Sequence, residues 1–430
     1  MDSRMLTDRK PGASEPDKPH TANISDNNMS VKPLSGNPEQ ERAGLRFSDT
    51  KPHYELLDGL RGIAALLVII HHVGEGFAFA ESVNGVGDGI IRWLNHGYLA
   101  VDFFFLLSGF VIGYAYDDRW QNGFTLKDFF KRRLIRLHPM VVLAAVIGLI
   151  TFLIQGSANW DGTPVPVSLA MLALLAAMFM IPARPGSPYE VRGNGEMFPL
   201  NGPAWSLFFE YIGNILYALF IRRFSTKVLA VLTVLLGGVL AWMTVGDLTG
   251  ADMFGIGWTL DNANFAGGLV RMLFPYTLGM LMSRCVKPGQ VRGAFGTVAV
   301  ALTLLFAVPY IPSEGAVSLN GLFEAVTIIA IFPVLLWLGA SGKTEGKRGA
   351  ALCRFLGDIS YPLYIVHYPL FYLFYHWLIK NEIYSPCDCV PAILAVVAGS
   401  VLLAWASLRF YDIPLRKFLI RKYVKSAKKV

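Results

Sequence analysis

The sequence predicts an all-α, polytopic membrane helix bundle, with about ten transmembrane helices and one re-entrant helix. Three observations predict this class. Of the 430 residues, 53% are hydrophobic and only 16% are charged, whereas about a quarter of a typical soluble domain is charged. The mean hydropathy is +0.45. Apolar runs of the roughly 17–25 residues needed to cross a bilayer recur from residue 62 to the C-terminal region.

The chain divides into three parts by composition. Residues 1–52 are polar, rich in Pro, Ser, Asn, Asp and Lys, and contain no apolar run typical of a signal peptide. They are expected to form a disordered cytosolic tail. Residues 53–415 carry all the apolar runs and form one membrane domain. Residues 416–430 are a basic cytosolic tail, which is also typical of a segment that contacts anionic lipids.

Eleven apolar segments are candidates for membrane helices. They are 62–80, 98–116, 139–155, 165–182, 203–221, 228–245, 265–284, 293–311, 320–339, 357–379 and 390–411. The five clusters of basic residues are expected to lie in the cytosol, as they do in most multi-pass proteins; they lie within 117–138, 222–227, 284–292, 343–354 and 416–429. This arrangement requires an even number of crossings between residues 138 and 222, so one of three segments there must be re-entrant. We choose 203–221, because it contains Glu210 and Asn214. Both termini are then cytosolic. The protein itself is expected in the inner membrane of the cell.

The net charge of +7 is explained by these loops and does not indicate nucleic-acid binding, since no basic soluble domain is present. The four cysteines are Cys285, Cys353, Cys387 and Cys389. They show no spacing typical of a metal site, and no other set of ligands does. We therefore expect neither a metal nor a permanently bound cofactor.

The first predicted span carries an unusual set of ionisable residues. Arg61 and His72 are eleven residues apart, which places them on one helical face about 16 Å apart along the axis. Asp58 and Glu75 lie on the same stripe. Ionisable groups within a membrane usually have a function. The arginine can hold a phosphate, and the imidazole can act as a general base on a hydroxyl. Alternatively, Arg61 snorkels to the surface and His72 is a packed polar residue.

Five segments of this chain resemble, in the same order, the signatures of the acyltransferase-3 family of integral membrane O-acyltransferases. They are Leu57–Gly62 with His72, Val101–Phe110, Arg132–Pro139, Trp205–Leu207 with Glu210, and Gly357–Tyr361 with Tyr364 and His367. The resemblance covers residues 53–415. Ala100 departs from the family's usual glycine, and Phe208 and Phe209 replace smaller residues. Many family members carry a fused esterase-like domain, and we expect this protein to act without one.

The resemblance implies a mechanism. His72 is expected to act as general base on the acceptor hydroxyl; the alternative of an acyl-histidine intermediate stays open. Arg61, Arg133 and Arg136 are candidates for binding the phosphates of acyl-CoA, because arginine matches phosphate geometry. The alternative for Arg133 and Arg136 is that they only set the topology. Glu210 is a second catalytic candidate, expected to contact the histidine or the acceptor, or else to pair with an arginine.

Other motif residues are expected to line the pocket. These are Asp58, Glu75, Asp102, Ser108, Trp205, Ser360, Tyr364 and His367. Asp102 is expected to orient Arg61 or His72, or to mark the water interface. Ser108 with Gly109 is interpreted as a site of close helix packing rather than as a nucleophile. Arg271, a charge inside another predicted span, is interpreted as snorkelling outward, with contact to an acceptor carboxylate as the alternative.

The predicted function is transfer of an acyl group, most simply acetyl, from cytosolic acyl-CoA to a hydroxyl of a carbohydrate, such as a lipid-linked glycan or an exported polysaccharide. This substrate class follows from the resemblance and from no residue. Three alternatives stay open: a small lipophilic acceptor such as a macrolide or lipid, a transporter, and a non-catalytic membrane subunit that recruits partners.

Overall fold

The computed structural model describes residues 54–87, 89–248, 250, 252–313, 317–344 and 346–424. The predicted tail 1–52 lies outside this part of the chain. The described part is helical and contains no β-strand. Its main helices, numbered in chain order, are α1 Glu55–Asn84, α2 Ala100–Tyr116, α3 Leu126–Ile154, α4 Val167–Met178, α5 Ala204–Leu219, α6 Thr226–Val245, α7 Asn262–Cys285, α8 Ala294–Phe306, α9 Leu319–Ser341, α10 Gly346–Val366, α11 Tyr368–Lys380 and α12 Val390–Tyr423.

Within the described residues, eight helices are long and apolar enough to cross a membrane. They are α1, α2 with its flanking turns, α3, α5 with its following turn, α6, α7, α9 and α12. The predicted class, an all-α polytopic bundle, is confirmed. The count differs from about ten because α8 has only 13 residues and the predicted span 357–379 is divided between α10 and α11. Helix α12 runs on to Tyr423, so no structural break marks the predicted domain boundary at residue 415.

Helix lengths change the prediction of the re-entrant segment. The predicted choice, 203–221, forms a helical segment of 20 residues, Ala204–Arg223, which meets the criteria for a span. Helix α4 has 12 residues and is about 18 Å long, well short of the roughly 30 Å hydrocarbon core. By length, α4 is therefore the better candidate between residues 138 and 222 for a segment that does not cross, which differs from the predicted choice of 203–221.

The helix ends gather at two opposite faces of the bundle. At one face, Arg284 forms an ion pair with Asp117 and donates to the carbonyl of Phe224 at 2.9 Å. Lys131 reaches the carbonyl of Tyr423 at the same face. The predicted basic clusters lie along these ends, so we call this the basic face. Helix α1 starts near the basic face and ends at the opposite face. There, Asn84 donates to the carbonyl of Ile379.

Close helix contacts depend on small residues in the motifs. A Cβ added at Gly62 of α1 would lie 2.5 Å from the carbonyl oxygen of Leu356 in α10. A Cβ at Gly109 of α2 would lie 1.9 Å from the carbonyl oxygen of Tyr276 in α7. Only glycine permits either approach. The packing of α10 on α1 matters for function, because it brings the end of α10 beside His72.

The helical backbone is interrupted at His367, between α10 and α11. Pro369 has no backbone N–H and cannot bond the carbonyl of Ile365, four residues earlier. The side chain of Asn201, in the loop before α5, donates to that carbonyl at 2.9 Å. The break is thus stabilised by a polar residue from a distant segment. It leaves the His367 side chain inside the bundle, fully buried.

Candidate active site

The centre of the site is a histidine–carboxylate pair on α1. His72 Nδ1 lies 2.6 Å from Glu75 Oε2, one helical turn further along the chain. An ionised carboxylate only accepts hydrogen bonds, so Nδ1 carries the proton and donates it. The lone pair of the neutral imidazole is then on Nε2. This arrangement gives His72 the tautomer that a general base needs.

Two tyrosines of α11 hold Glu75 in place. The Tyr375 hydroxyl lies 2.8 Å from Glu75 Oε2. It also lies 2.8 Å from the backbone carbonyl oxygen of His72. The Tyr368 hydroxyl donates to Glu75 Oε2 at 3.3 Å. The carboxylate is therefore positioned by neighbours on a second helix, and it in turn orients the imidazole. Such support is what keeps a catalytic group in one geometry.

Aromatic rings enclose the imidazole of His72. The ring of His367 stacks on it at 5.3 Å between centroids, and Tyr368 meets it edge-on at 4.8 Å. His367 Nδ1 donates to the carbonyl of Leu363 at 2.9 Å. Its Nε2 is buried and has no hydrogen-bond partner among the described residues. The site thus contains two imidazole nitrogens, one on each histidine, that are available to accept a proton or a hydrogen bond.

The pair is buried but reachable. The His72 side chain is 14% exposed and that of Glu75 is 33% exposed. The neighbouring His71 is 3% exposed, and its Nδ1 lies 2.8 Å from the carbonyl of Leu94. His71 therefore serves packing, as its different helical face predicts, whereas His72 can meet a substrate.

A second polar cluster lies at the other end of the same stripe, near the basic face. Arg61 is paired with Asp58 on α1. Arg133 of α3 donates to Glu210 of α5 at 2.6 Å. Arg136 lies within electrostatic reach of both Arg61 and Arg133. The structure thus brings the three predicted phosphate-binding arginines together.

The charges in this arginine cluster do not cancel. Arg61, Arg133 and Arg416 each have a carboxylate partner, and these partners are Asp58, Glu210 and Asp412. Arg136 makes no ion pair with any described residue and lies within electrostatic reach of three arginines and of Asp58. Among these four arginines and three carboxylates, one positive charge is in excess, at a place where a diffusible anion can bind.

The two clusters are joined by an apolar strip of α1. Ala65 and Val68 lie on the stripe between Arg61 and His72, and both are buried, with 1% and 3% exposure. The helix is continuous from Glu55 to Asn84, so the expected separation of about 16 Å holds.

The structure places Glu210 away from His72. Its Oε1 accepts from Arg133 and, at 2.9 Å, from the hydroxyl of Ser108. The expected contact with the histidine is not made; Glu75 occupies that position instead. The alternative, an ion pair with an arginine, is what the structure contains. Ser108 contributes its hydroxyl to this pair, while the neighbouring Gly109 provides the close contact with α7.

Asp102 and Arg271 pair with each other, which corrects the expectations for both. Arg271 Nη2 and Nε donate to the carboxylate at 2.9–3.2 Å, and the guanidinium also bonds the carbonyls of Ile256 and Tyr98. Asp102 is 0% exposed and Arg271 is 2% exposed. Arg271 therefore does not snorkel, and Asp102 contacts neither Arg61 nor His72. This pair ties α2 to α7 and to the loop before α7.

Most of the remaining motif residues make contacts away from the His72 ring. Ser206 lies 2.7 Å from the Tyr364 hydroxyl, which joins α5 to α10. Ser360 bonds the carbonyl of Gly357 in its own helix. The ring of Trp205 packs against the backbone of Gly257 and lies under the Arg271 guanidinium. Of the predicted late motif, only His367 contacts the His72 ring.

Sequence reasoning missed two residues that contact the pair. Tyr368 and Tyr375 are seven residues apart in the aromatic segment 368–377, a spacing that places them on one face of a helix. That signal was present. The missing information was which helix this face would meet. Among the described residues, no group of three or more His, Cys, Asp or Glu side chains is placed to hold a metal ion.

Comparisons with known proteins agree with this architecture. Residues 54–408 match the acyltransferase-3 family, described as an acyltransferase domain. A protein called protein 2 in picA locus, from Rhizobium radiobacter, is 36% identical over 196 residues, which are 42% of this chain and 91% of the relative. No solved structure gives a significant match.

Two other relatives cover more of the chain. Acyltransferase MdmB from Streptomyces mycarofaciens is 27% identical over 328 residues, 73% of this chain and 77% of the relative. Peptidoglycan O-acetyltransferase OatA from Listeria monocytogenes is 25% identical over 390 residues, 86% of this chain but 57% of the relative. Since the family match extends over most of the chain, this protein belongs to the acyltransferase-3 family and is a membrane O-acyltransferase.

Proposed function

We propose that this protein transfers an acetyl group from cytosolic acetyl-CoA to a hydroxyl of a carbohydrate acceptor. The observation that carries the proposal is the His72–Glu75 pair, in which a partly buried carboxylate fixes the imidazole with Nε2 free. Transfer from a thioester to a hydroxyl needs a base, because the hydroxyl is a weak nucleophile at neutral pH.

His72 Nε2 takes the proton of the acceptor hydroxyl while that oxygen attacks the thioester carbonyl. The tetrahedral intermediate then expels the CoA thiolate, with cleavage of the carbon–sulfur bond. The imidazolium returns its proton to the thiolate, and the products are an ester and CoA thiol. Glu75 stabilises the imidazolium formed between these steps, because its negative charge lies 2.6 Å from Nδ1.

The arginine cluster supports an acyl-CoA donor. Arg61, Arg133 and Arg136 lie together near a face where the basic residues collect, and basic loops are usually cytosolic. Coenzyme A carries several phosphates joined to its thioester by a long chain. With its phosphates at the arginines, this donor extends along α1 toward His72. Both described ends of the membrane domain, Tyr54 and Val424, are then on the cytosolic side.

A carbohydrate acceptor is supported by the relatives. OatA is named a peptidoglycan O-acetyltransferase, and other relatives are named putative O-acetyltransferases. His72 lies toward the face opposite the basic clusters, so an acceptor arriving from that face meets the donor at the imidazole. The membrane in question is then the inner membrane of the cell.

The test uses the full-length protein in lipid nanodiscs with radiolabelled acetyl-CoA and n-decyl β-D-glucoside as acceptor. We expect His72→Ala to lower transfer by about 10²–10⁴-fold, the range for loss of a general base, while insertion and monodispersity stay normal. His376→Ala is the matched control, since this histidine lies on α11 and makes no hydrogen bond with a described side chain. Wild-type transfer by His72→Ala would disprove the role of His72.

A further inference from the structure

Arg192 lies in the loop between α4 and α5, on the side of the active site that faces away from the basic clusters. We propose that Arg192 and Trp160 form a subsite that binds the oxygen atoms of a sugar acceptor beside His72. This inference rests on the proposed function and names the residues that would recognise its acceptor.

Arg192 is held rigidly inside the protein. Its guanidinium lies 3.4 Å from the centroid of the Tyr372 ring and is 2% exposed. Nε donates to the carbonyl of Pro199, and Nη1 donates to Gln155 Oε1 at 3.0 Å. Gln155 in turn donates to the carbonyl of Tyr372 at 2.6 Å. The arginine is therefore fixed in position before any ligand arrives.

Two N–H donors at this place lack a protein acceptor. Arg192 Nη2 and Trp160 Nε1 are both buried and have no hydrogen-bond partner among the described residues. The guanidinium carbon of Arg192 lies 5.1 Å from the Trp160 ring, so the two donors are neighbours. A buried donor without a partner destabilises a protein, because it has lost its hydrogen bond to water. A ligand that offers oxygen acceptors removes this penalty and gains the difference in binding.

Single arginine donors such as Arg61 Nε and Arg133 Nε are also buried without a partner, so the useful comparison is with another arginine–tryptophan pair, near the basic face. Arg222 lies 4.1 Å from the Trp120 ring. There, Trp120 Nε1 donates to the Tyr217 hydroxyl at 3.1 Å, and Arg222 Nε donates to the carbonyl of Ala218 at 2.6 Å. The same residue types are paired within the protein when no ligand is needed. The Arg192–Trp160 pair differs because its indole N–H and one guanidinium nitrogen are both buried without a partner among the described residues.

The subsite adjoins the catalytic pair through two rings. Tyr372, on which Arg192 stacks, meets Tyr368 edge-on at 4.7 Å. Tyr368 then contacts the His72 ring at 4.8 Å and donates to Glu75. The two tyrosine rings thus connect the subsite to the His72 ring, and we expect a glycan that extends from Arg192 and Trp160 past Tyr368 to present a hydroxyl to His72.

The chemistry favours a sugar over a simple lipid. Aromatic rings pack against the C–H faces of a pyranose, while N–H donors bind its ring and hydroxyl oxygens. An alkyl chain would leave both donors unpaired. The same two loops also border a cleft of about 400 Å³, lined by Asn159, Ser187, Glu190 and Gly193 among others. This cleft gives room for neighbouring units of a longer glycan.

The experiment measures equilibrium binding of tritiated n-decyl β-D-glucoside and n-decyl N-acetyl-β-D-glucosaminide to the His72→Ala protein in nanodiscs, where no turnover occurs. Tritiated n-decanol reports binding of the alkyl chain alone. In this background, we expect Trp160→Phe and Arg192→Gln each to raise the Kd of the glycosides about tenfold, which corresponds to loss of one hydrogen bond of about 1.4 kcal/mol. The Kd of decanol should not change. Trp120→Phe and Arg222→Gln are the matched controls and should bind the glycosides normally.

Unchanged glycoside binding in Trp160→Phe would overturn the inference, because this variant keeps an aromatic side chain but removes the indole N–H. The Trp160→Phe variant also tests the subsite if Arg192→Gln fails to fold. Binding of decanol but of neither glycoside by the parent protein would overturn the sugar class, while transfer from acetyl-CoA could still stand. Loss of glycoside binding in these variants together with full transfer by His72→Ala would support the subsite and disprove the proposed mechanism.

Discussion

The two ends of the polar stripe on α1 are built differently. At the histidine end, one carboxylate oxygen of Glu75 is contacted by His72, Tyr368 and Tyr375, and the charge is used to fix a ring. At the arginine end, four arginines lie with three paired carboxylates, and Arg136 makes no direct ion pair with a described residue. A proton transfer requires fixed geometry, whereas capture of a polyanion requires excess charge. The comparison predicts that substitutions at the first end affect the chemical step and those at the second affect donor binding.

The strongest test of this comparison pairs two glutamates. Glu75→Gln removes the negative charge that stabilises the imidazolium of His72, and we expect kcat to fall about 10²-fold or more. Glu210→Gln acts at the arginine end, where we expect mainly a change in the KM for acetyl-CoA. Steady-state kinetics in nanodiscs measure both. An equal loss of kcat in the two variants would remove the distinction between the ends.

The buried ion pair between Arg271 and Asp102 lies outside both ends of the stripe, and we expect its role to be structural. Arg271→Met leaves Asp102 buried without its partner, and we expect the free energy of unfolding to fall by about 3–5 kcal/mol. The double variant Asp102→Leu/Arg271→Met should recover most of this loss. Thermal unfolding followed by size-exclusion fluorescence provides the measurement. Normal stability of Arg271→Met alone would show that the pair is not structural.

Arg136 tests the excess charge at the arginine end. Arg136→Gln should raise the KM for acetyl-CoA about tenfold to a hundredfold, since a charge-assisted hydrogen bond contributes about 1.5–3 kcal/mol. The kcat should stay within a few fold of wild type. Arg223→Gln, another arginine near the basic face, is the control. Higher salt should weaken donor binding in wild type more than in Arg136→Gln.

The smallest expected effect concerns pH at the loop beyond the histidine end. Burial raises the pKa of Glu196 from 4.5 to about 7, against the opposing effect of the nearby Arg192. The folded protein therefore holds this proton where the unfolded chain has lost it, so the contribution to stability is full below pH 4.5 and is lost as the pH rises toward 7. Glu196→Gln should flatten the melting temperature over this window by a few degrees. An unchanged pH profile would show that Glu196 titrates normally.

Much of the fold and part of the site follow from local sequence. The long apolar runs predicted the membrane bundle, and the eleven-residue spacing predicted that Arg61 and His72 share a stripe. Glu75 is on that stripe too, only three residues from His72, so its contact was accessible from sequence. The choice of the re-entrant segment differs from the one that helix length favours, because a polar residue within a helix does not show how long that helix is. Helix α4 has 12 residues, against 20 for the segment Ala204–Arg223.

By itself, the sequence determined the family, the all-α membrane class and the residues along one face of each helix, because helical periodicity and hydropathy act within a single segment. The tertiary structure decided the pairings: Glu210 with Arg133, Asp102 with Arg271, and Tyr375 with Glu75, the last separated by 300 residues. It also left Arg192 and Trp160 with unused donors. The physical reason is that contacts between helices depend on how their faces approach and cross, and no local period encodes which faces will meet.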